Sequence, residues 1–143
     1  RAIQDLLAHE TDNTIPLWVK ISPTLSDDQY RVLMRVFADE GVSAVIATNT
    51  IAMPTPDNPS VMAGVGGGKL HDHAVRVAGL LMAEKRTHDY AVDVIGCGGI
   101  QDPISYQHFR QHGIIVGQYW SGMIFKSPLM AGHILAELEQ PDA

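Results

Sequence analysis

Short apolar runs alternate with longer amphipathic stretches along this chain. Four runs rich in branched aliphatic residues predict strands, at 17–21, 44–47, 92–95 and 114–116. After the first run, Leu33, Met34 and Phe37 recur at the spacing of one helix face. Apolar strands that alternate with helices are typical of a parallel sheet that is buried on both faces.

Capping residues mark where two of the predicted helices begin. Ser26 and Gln29 have the spacing of a capping box ahead of an apolar run. Asp102 is a capping residue followed by Pro103, which suits the first helical position. Gly41 is expected to end the first of these helices. Further helices are predicted at residues 1–10, around 75–83 and at 128–138.

The segment from Ile51 to Gly68 is rich in proline, asparagine and glycine, and it is predicted to be a long loop. The order of elements is therefore a strand followed by a helix, four times, behind one extra helix. Two architectures fit this order: a doubly wound sheet and part of a (βα)₈ barrel. A whole barrel takes about 250 residues, so a single domain of 143 residues can supply half of one.

The amino-acid composition excludes several classes of protein and of binding partner. With 45% hydrophobic and 18% charged residues, the chain can build a core and is not a disordered protein. A formal net charge of −6 without a basic cluster excludes nucleic acid as a partner. The single cysteine excludes an internal disulfide framework and fits a reducing compartment. No apolar run approaches the roughly 20 residues of a membrane span.

Glycines follow two of the predicted strands, just before predicted helices. They lie in the stretches Ile95–Ile100 and Gly117–Gly122. The first N–H groups of a helix lack partners and the helix dipole favours an anion, so this arrangement binds phosphate. In (βα)₈ barrels the loops after the last two strands frequently form one phosphate site. The two stretches therefore predict a shared phosphate site.

Three more stretches carry polar or glycine residues suited to a ligand. Lys20 lies in a run predicted to be buried, where an ammonium needs a negative partner; the alternative is a strand-end lysine that reaches water. Thr48, Asn49 and Thr50 follow the second strand and are suited either to a flat polar ligand or to an ordinary turn. The glycines of residues 64–68 allow either close approach of a ligand or a flexible linker.

Two histidines and the cysteine are weaker candidates. His71 and His73 flank Asp72 and are expected in the first turn of a solvated helix, with a metal site as the alternative. Cys97 is expected to be a small buried thiol rather than a nucleophile, because no base partner is evident.

Four short motifs occur along the chain in the order Val19-Lys20-Ile21-Ser22-Pro23, Thr48-Asn49-Thr50, Ile95–Ile100 and Gln118–Pro128. In this order they resemble the motifs of the dihydroorotate dehydrogenase family. The resemblance covers nearly the whole chain but only the second half of such an enzyme. Within the last motif, Phe125-Lys126-Ser127-Pro128 is most similar to the quinone-dependent branch.

The resemblance implies half of an FMN-containing (βα)₈ barrel that oxidises dihydroorotate to orotate in pyrimidine synthesis. It implies that Lys20 lies beside the flavin ring, that Thr48 also faces the flavin, and that Asn49 and Thr50 hydrogen-bond orotate. Backbone contacts to FMN are implied at Gly66 and Gly67. The FMN phosphate is implied to be held at Gly98, Gly99, Trp120 and Ser121.

This sequence departs from the family pattern at several points. Gly66 stands where the family has a serine, Trp120 stands where a tyrosine is usual, and Ile51 replaces a threonine. The general base, the other half of the barrel and any membrane-binding segment are expected on a preceding segment or a second chain, with quinone as the implied electron acceptor. A cytoplasmic location is expected, with membrane association only through such a segment. The alternative function is a catalytically inactive half-barrel that acts as a structural subunit.

A half-barrel is expected to expose the sheet face that the missing strands would cover. The side chains expected on that face are Leu17, Val19, Ile46 and Ile95.

Overall fold

Six strands and six α-helices make up the computed structural model, which describes residues 2–10 and 15–139. The strands are β1 (Trp18–Ile21), β2 (Ala44–Ala47), β3 (Ile51–Pro54), β4 (Met62–Val65), β5 (Asp93–Cys97) and β6 (Gly117–Gln118). The helices are α1 (Ala2–Glu10), α2 (Asp27–Asp39), α3 (His71–His88), α4 (Pro103–Gln111), α5 (Ser121–Phe125) and α6 (Met130–Leu138), with a short 3₁₀ helix at Gly67–Leu70.

Four of the strands form one parallel sheet in the order β1-β2-β5-β6. Each is followed along the chain by a helix, so the predicted α/β class with four strand–helix units is confirmed. The third strand runs two residues beyond its predicted end. The fourth begins at Gly117 rather than Ile114, because Ile114 is buried in the core and the ladder to β5 starts only where the Val116 carbonyl accepts from the Gly96 N–H.

Both predicted helix caps are present. The Ser26 hydroxyl accepts from the Gln29 N–H, and the Gln29 side chain accepts from the Ser26 N–H. Asp102 caps α4 in the same reciprocal way with Ser105. The last helix begins at Met130 rather than Pro128, and the separate short helix α5 precedes it.

The main core lies between the helices and one face of the sheet. Its largest fully buried side chains are Tyr30, Met34, Leu81 and Phe109. Because side chains alternate across a strand, Leu17 and Val19 pack against this helical side. The expectation that they share a face with Ile46 and Ile95 is therefore wrong.

The opposite face of the sheet carries a smaller cluster of Ala44, Ile46 and Ile95. Ile46 and Ile95 are buried, so the expectation that they form an exposed apolar surface is also wrong. At the outer strands the exposed apolar side chains are Trp18 on β1 and Ile115 and Val116 before β6. None of the described helices has the length and hydropathy needed to cross a bilayer.

The predicted loop from Ile51 to Gly68 is an antiparallel hairpin of β3 and β4. Its turn is closed by hydrogen bonds from the Thr55 N–H to the Val61 carbonyl and from the Thr55 hydroxyl to the Asn58 carbonyl. The loop prediction was wrong because prolines and glycines at both ends concealed the short strands. In the hairpin register Ile51 pairs with Val65, so Thr50 and Gly66 emerge side by side.

Candidate functional site

One cavity of about 230 Å³ lies beyond the carboxyl ends of the parallel strands. Every residue singled out as a site candidate by the resemblance lines it. These residues are Lys20, Thr48, Asn49, Thr50, Gly66, Gly67, Gly98, Gly99, Trp120 and Ser121. They come from five separate stretches of the chain, which the parallel sheet and the hairpin bring to one edge.

Lys20 is the charged side chain of the cavity. The expectation that it is buried is wrong, since it is exposed on the sheet face opposite the main core. Its register partner on β2 is Ile46, which pairs in turn with Ile95 on β5. The Lys20 ammonium donates a hydrogen bond of 3.2 Å to the Cys97 sulfur.

Of the three polar residues after β2, Thr48 is buried, whereas Asn49 and Thr50 are exposed to solvent. Thr48 is 1% exposed, and its hydroxyl donates to the Asn49 carbonyl at 2.9 Å. The Asn49 N–H donates to the Ile21 carbonyl at 2.7 Å, and the Asn49 side-chain oxygen accepts from the Thr50 N–H at 2.9 Å. Asn49 and Thr50 are exposed. The Asn49 NH₂ group and the Thr50 hydroxyl donate to no other described residue, so they remain available to a ligand.

The end of the hairpin faces the start of α5. A Cβ at Gly66 would lie 3.6 Å from the Ser121 hydroxyl and 3.9 Å from Thr50, which is ordinary contact. Gly67 has φ of +66°, and a Cβ there would lie 3.3 Å from the Ser121 Cβ. A Cβ would therefore fit at Gly66 without a clash, whereas Gly67 is required by its backbone conformation.

Gly98 and Gly99 are required by the protein around them. Gly98 has φ of +139°, and a Cβ there would lie 2.7 Å from the Ala74 Cβ. Gly99 has φ of +70°, and a Cβ there would lie 2.5 Å from the His71 Cβ and 2.9 Å from the Gly67 carbonyl oxygen. The loop after β5 therefore packs directly on the start of α3, and this contact holds its backbone at the cavity.

Trp120 and Ser121 line the cavity at the start of α5. Trp120 is 72% exposed and immediately precedes α5, where Ser121 is the first residue. The first N–H groups of any helix lack acceptors within that helix. Ser121 and Gly122 line the cavity beside the hairpin glycines Gly66 and Gly67.

The charge of the lining suits an anion. Lys20 contributes a positive charge to the cavity lining, and no carboxylate is among the described residues that line the cavity. Asp102, which lies outside the lining, is held as a carboxylate because hydrogen bonds from the Ser105 N–H and hydroxyl lower its pKa. The Lys20 ammonium and the Ser121 hydroxyl at the start of α5 are compatible with a flavin mononucleotide, which has a phosphate at one end and a ring that gains negative charge on reduction.

The cavity is also lined by residues to which the resemblance assigns no individual contact, and one of them, Leu70, lies outside every stretch singled out in the sequence. The additional lining residues are Gly64, Leu70, Cys97, Ile100, Gln118, Tyr119 and Gly122. Strand alternation could have found Cys97, because it lies two residues after Ile95 and therefore on the same face. Gly64 is needed because a Cβ there would lie 2.5 Å from the Thr50 hydroxyl oxygen.

The histidines lie away from the cavity lining. His71 does begin α3, as expected, but its ring is half-buried rather than solvated. The Nε2 atom of His71 is 2.8 Å from Nδ1 of His108, and its ring meets Phe109 edge to face. No group of three or more histidine, cysteine or acidic side chains suited to a metal ion is found in residues 2–10 and 15–139.

Sequence comparison identifies relatives along almost the whole chain. The family described as "Dihydroorotate dehydrogenase" matches residues 2–141. The proteins described as dihydroorotate dehydrogenase (quinone) from Bordetella pertussis and Idiomarina loihiensis are 33% and 32% identical over 138 and 142 residues. These matches cover 94% and 96% of this chain but 39% and 41% of the relatives. The chain therefore spans about two fifths of the length of these curated relatives.

Two solved structures share the fold. They are DHODH from Eimeria tenella, one described as a complex with ferulenol and the other as ligand-free. Both give a TM-score of 0.76, at 22% and 23% identity, and cover 90% of this chain. They are covered to 35% and 36% of their own length. This likeness confirms the fold as part of a (βα)₈ barrel.

Proposed function

Because this chain belongs to the dihydroorotate dehydrogenase family, a family of oxidoreductases, we propose that it supplies the FMN-phosphate site and part of the substrate site of an enzyme that oxidises dihydroorotate to orotate. The observation that carries the proposal is the single cavity lined by all of the candidate residues. Four short motifs, distant in sequence, meet there at the edge where barrel enzymes have their active sites.

The phosphate end of FMN is assigned to the glycines and the start of α5. Gly98 and Gly99 bring main chain to the cavity because their loop packs on α3. Ser121 offers a hydroxyl and a first-turn N–H group, next to the open space at Gly66. Hydrogen bonds from such donors to an anion are stronger than those between neutral groups.

The ring end of FMN is assigned to Lys20 and Thr48. When bound, the flavin supplies the hydride-accepting chemistry of the reaction. Lys20 holds a positive charge at the cavity and stabilises negative charge that develops beside it. Thr48 is fixed by burial and by its hydrogen bond to the Asn49 carbonyl, so it forms a rigid wall.

Substrate binding is assigned to Asn49 and Thr50. Both residues are exposed, and the Asn49 NH₂ group and the Thr50 hydroxyl donate to no other described residue. Dihydroorotate presents carbonyl and carboxylate oxygens that accept such hydrogen bonds. The general base is assigned to the part of the barrel that this chain does not span. The same part, on a preceding segment or a second chain, would pair with the outer strands β1 and β6. Quinone is the proposed electron acceptor.

The test is the flavin content of the protein purified in its native assembly. We expect a flavin absorption spectrum that is bleached by dihydroorotate, and FMN that protects Cys97 from alkylation by iodoacetamide. Peptide mapping by mass spectrometry measures the modification of Cys97. An assembly that contains no flavin, and whose Cys97 reacts equally fast with and without added FMN, contradicts the proposal.

Two departures from the family pattern favour a second candidate, a catalytically inactive half-barrel with a structural role. Gly66 lacks the serine hydroxyl of the family, and Trp120 is exposed where a tyrosine is usual. The flavin measurement separates the two functions, because a structural subunit needs no flavin and gives no response to dihydroorotate.

A further inference from the structure

Lys20 reaches its partner across an intervening strand. It lies on β1, whereas Cys97 lies on β5, and β2 separates these strands in the sheet. Neighbouring strands are about 4.8 Å apart, so the two backbones are separated by roughly 10 Å. The lysine side chain must therefore extend over β2 for its ammonium to contact the Cys97 sulfur at 3.2 Å.

An exposed lysine does not adopt such an arrangement without an anchor. Fixing its side chain costs up to about 2 kcal/mol of rotamer entropy, and the ammonium is strongly hydrated in water. The Cys97 sulfur is the side-chain acceptor that Lys20 has among the described residues. Ile46 and Ile95, which precede Cys97 on this face of the sheet, offer no acceptor.

We infer that Cys97 is a positioning residue, whose thiol holds the Lys20 ammonium over the sheet and at the flavin site. This inference rests on the proposed function, because it assigns the flavin ring to the neighbourhood of Lys20. The ammonium has three N–H donors. The thiol engages one of them, which leaves two for a ligand in the cavity that both residues line.

Nothing in the glycine motif itself assigns this role. The residue between Gly96 and Gly98 is the variable position of the motif, and its side chain has no part in holding a phosphate. Strand alternation puts Cys97 on the face of Lys20 and Ile95. The role follows only from that placement and from the hydrogen bond.

The test uses the flavin-loaded native assembly and measures the midpoint potential of its FMN. Cys97→Ala removes the acceptor, and we expect it to weaken the preference for reduced over oxidised flavin about tenfold. For a two-electron couple that change lowers the potential by about 30 mV. Cys97→Ser keeps an acceptor and should restore most of the potential. Lys20→Met should lower it by more than Cys97→Ala does.

A double-mutant cycle distinguishes positioning from a merely structural role. In a Lys20→Met background, Cys97→Ala should have no further effect on the potential. An unchanged potential in Cys97→Ala with FMN bound, or a shift that persists without Lys20, overturns the inference. Cys97→Val provides a second acceptor-free variant if the alanine variant fails to fold.

A second readout does not need the flavin and so separates the two proposals. NMR order parameters of the Lys20 ammonium should fall in Cys97→Ala and stay near wild type in Cys97→Ser. Equal mobility in wild type and Cys97→Ala overturns the positioning role even if FMN binds. Absence of FMN from the wild-type assembly contradicts only the proposed function, while the ammonium measurement still decides the contact.

Discussion

The two glycine-rich stretches that border the cavity, residues 64–68 and 96–99, look alike in sequence but differ in what surrounds them. In the second stretch, Gly98 and Gly99 have positive φ and lie against Ala74 and His71, so the fold itself excludes a side chain. In the first stretch, Gly66 has extended backbone with φ of −116° and ordinary space around its missing Cβ.

The contrast is therefore between Gly66 and the glycines that the fold requires, which include Gly67 of the same stretch with its φ of +66°. A substitution at Gly99 affects the protein before it affects any ligand, so loss of FMN in such a variant does not prove phosphate contact. A substitution at Gly66 is expected to leave the stability of the fold unchanged and to alter the binding of a ligand in the cavity. Three predictions test or sharpen the comparison.

The largest effect is expected for Gly99→Ser. Its Cβ meets the His71 Cβ and the Gly67 carbonyl, and its φ of +70° is costly for any residue with a side chain. We expect the free energy of unfolding to fall by about 3 kcal/mol or more, the sum of backbone strain and overpacking. Urea denaturation of the native assembly measures it. A loss below about 1 kcal/mol would contradict the close packing of this loop on α3.

The matched variant Gly66→Ser should have the opposite outcome. The free energy of unfolding of the flavin-free protein should change by less than about 0.5 kcal/mol, because the space exists and the backbone is extended. The added hydroxyl, which the family has at this position, should tighten FMN binding roughly fivefold, as one net hydrogen bond does. Fluorescence titration with FMN measures the affinity. Weaker binding would show that the space at Gly66 is filled by the ligand itself.

The smallest effect concerns Asp102, which caps α4 directly after the second glycine stretch. Hydrogen bonds from Ser105 lower its pKa in the folded state, so the carboxylate stabilises the fold above its unfolded pKa of about 3.9. That contribution is lost as pH falls through the lower folded pKa. Asp102→Asn still caps the helix but carries no charge.

We therefore expect Asp102→Asn to be less stable than wild type by under about 1 kcal/mol at neutral pH. The difference should begin to shrink below about pH 4 and vanish only once the pH is below the lower folded pKa. Thermal unfolding of both proteins from pH 7 to pH 3 measures it. A difference that grows as the pH falls would contradict the assigned cause of the lowered pKa.

Interactions between residues close in sequence made much of the fold predictable. The capping pairs at Ser26 and Asp102 act within a single helical turn, so their sequence spacing is sufficient to predict them. Apolar runs that alternate with helices predicted the parallel sheet and three of its four strands, whereas β6 begins just after the predicted run at 114–116. The hairpin at residues 51–65 was not predicted, because its short strands gain stability from pairing with each other rather than from burial.

The residues of the candidate site were identifiable from four motifs and from the glycine stretch at residues 64–68, but the sequence could not say what each does in space. Only the tertiary structure decided that Lys20 is exposed and anchored on Cys97, since these residues are distant in sequence and meet across β2. Only it distinguished Gly66 from Gly99, because the space for a side chain depends on neighbours such as Ser121 and His71. The local conformation of the backbone is determined largely by residues nearby in sequence. The space around a side chain is determined by elements that pack against it from elsewhere in the chain.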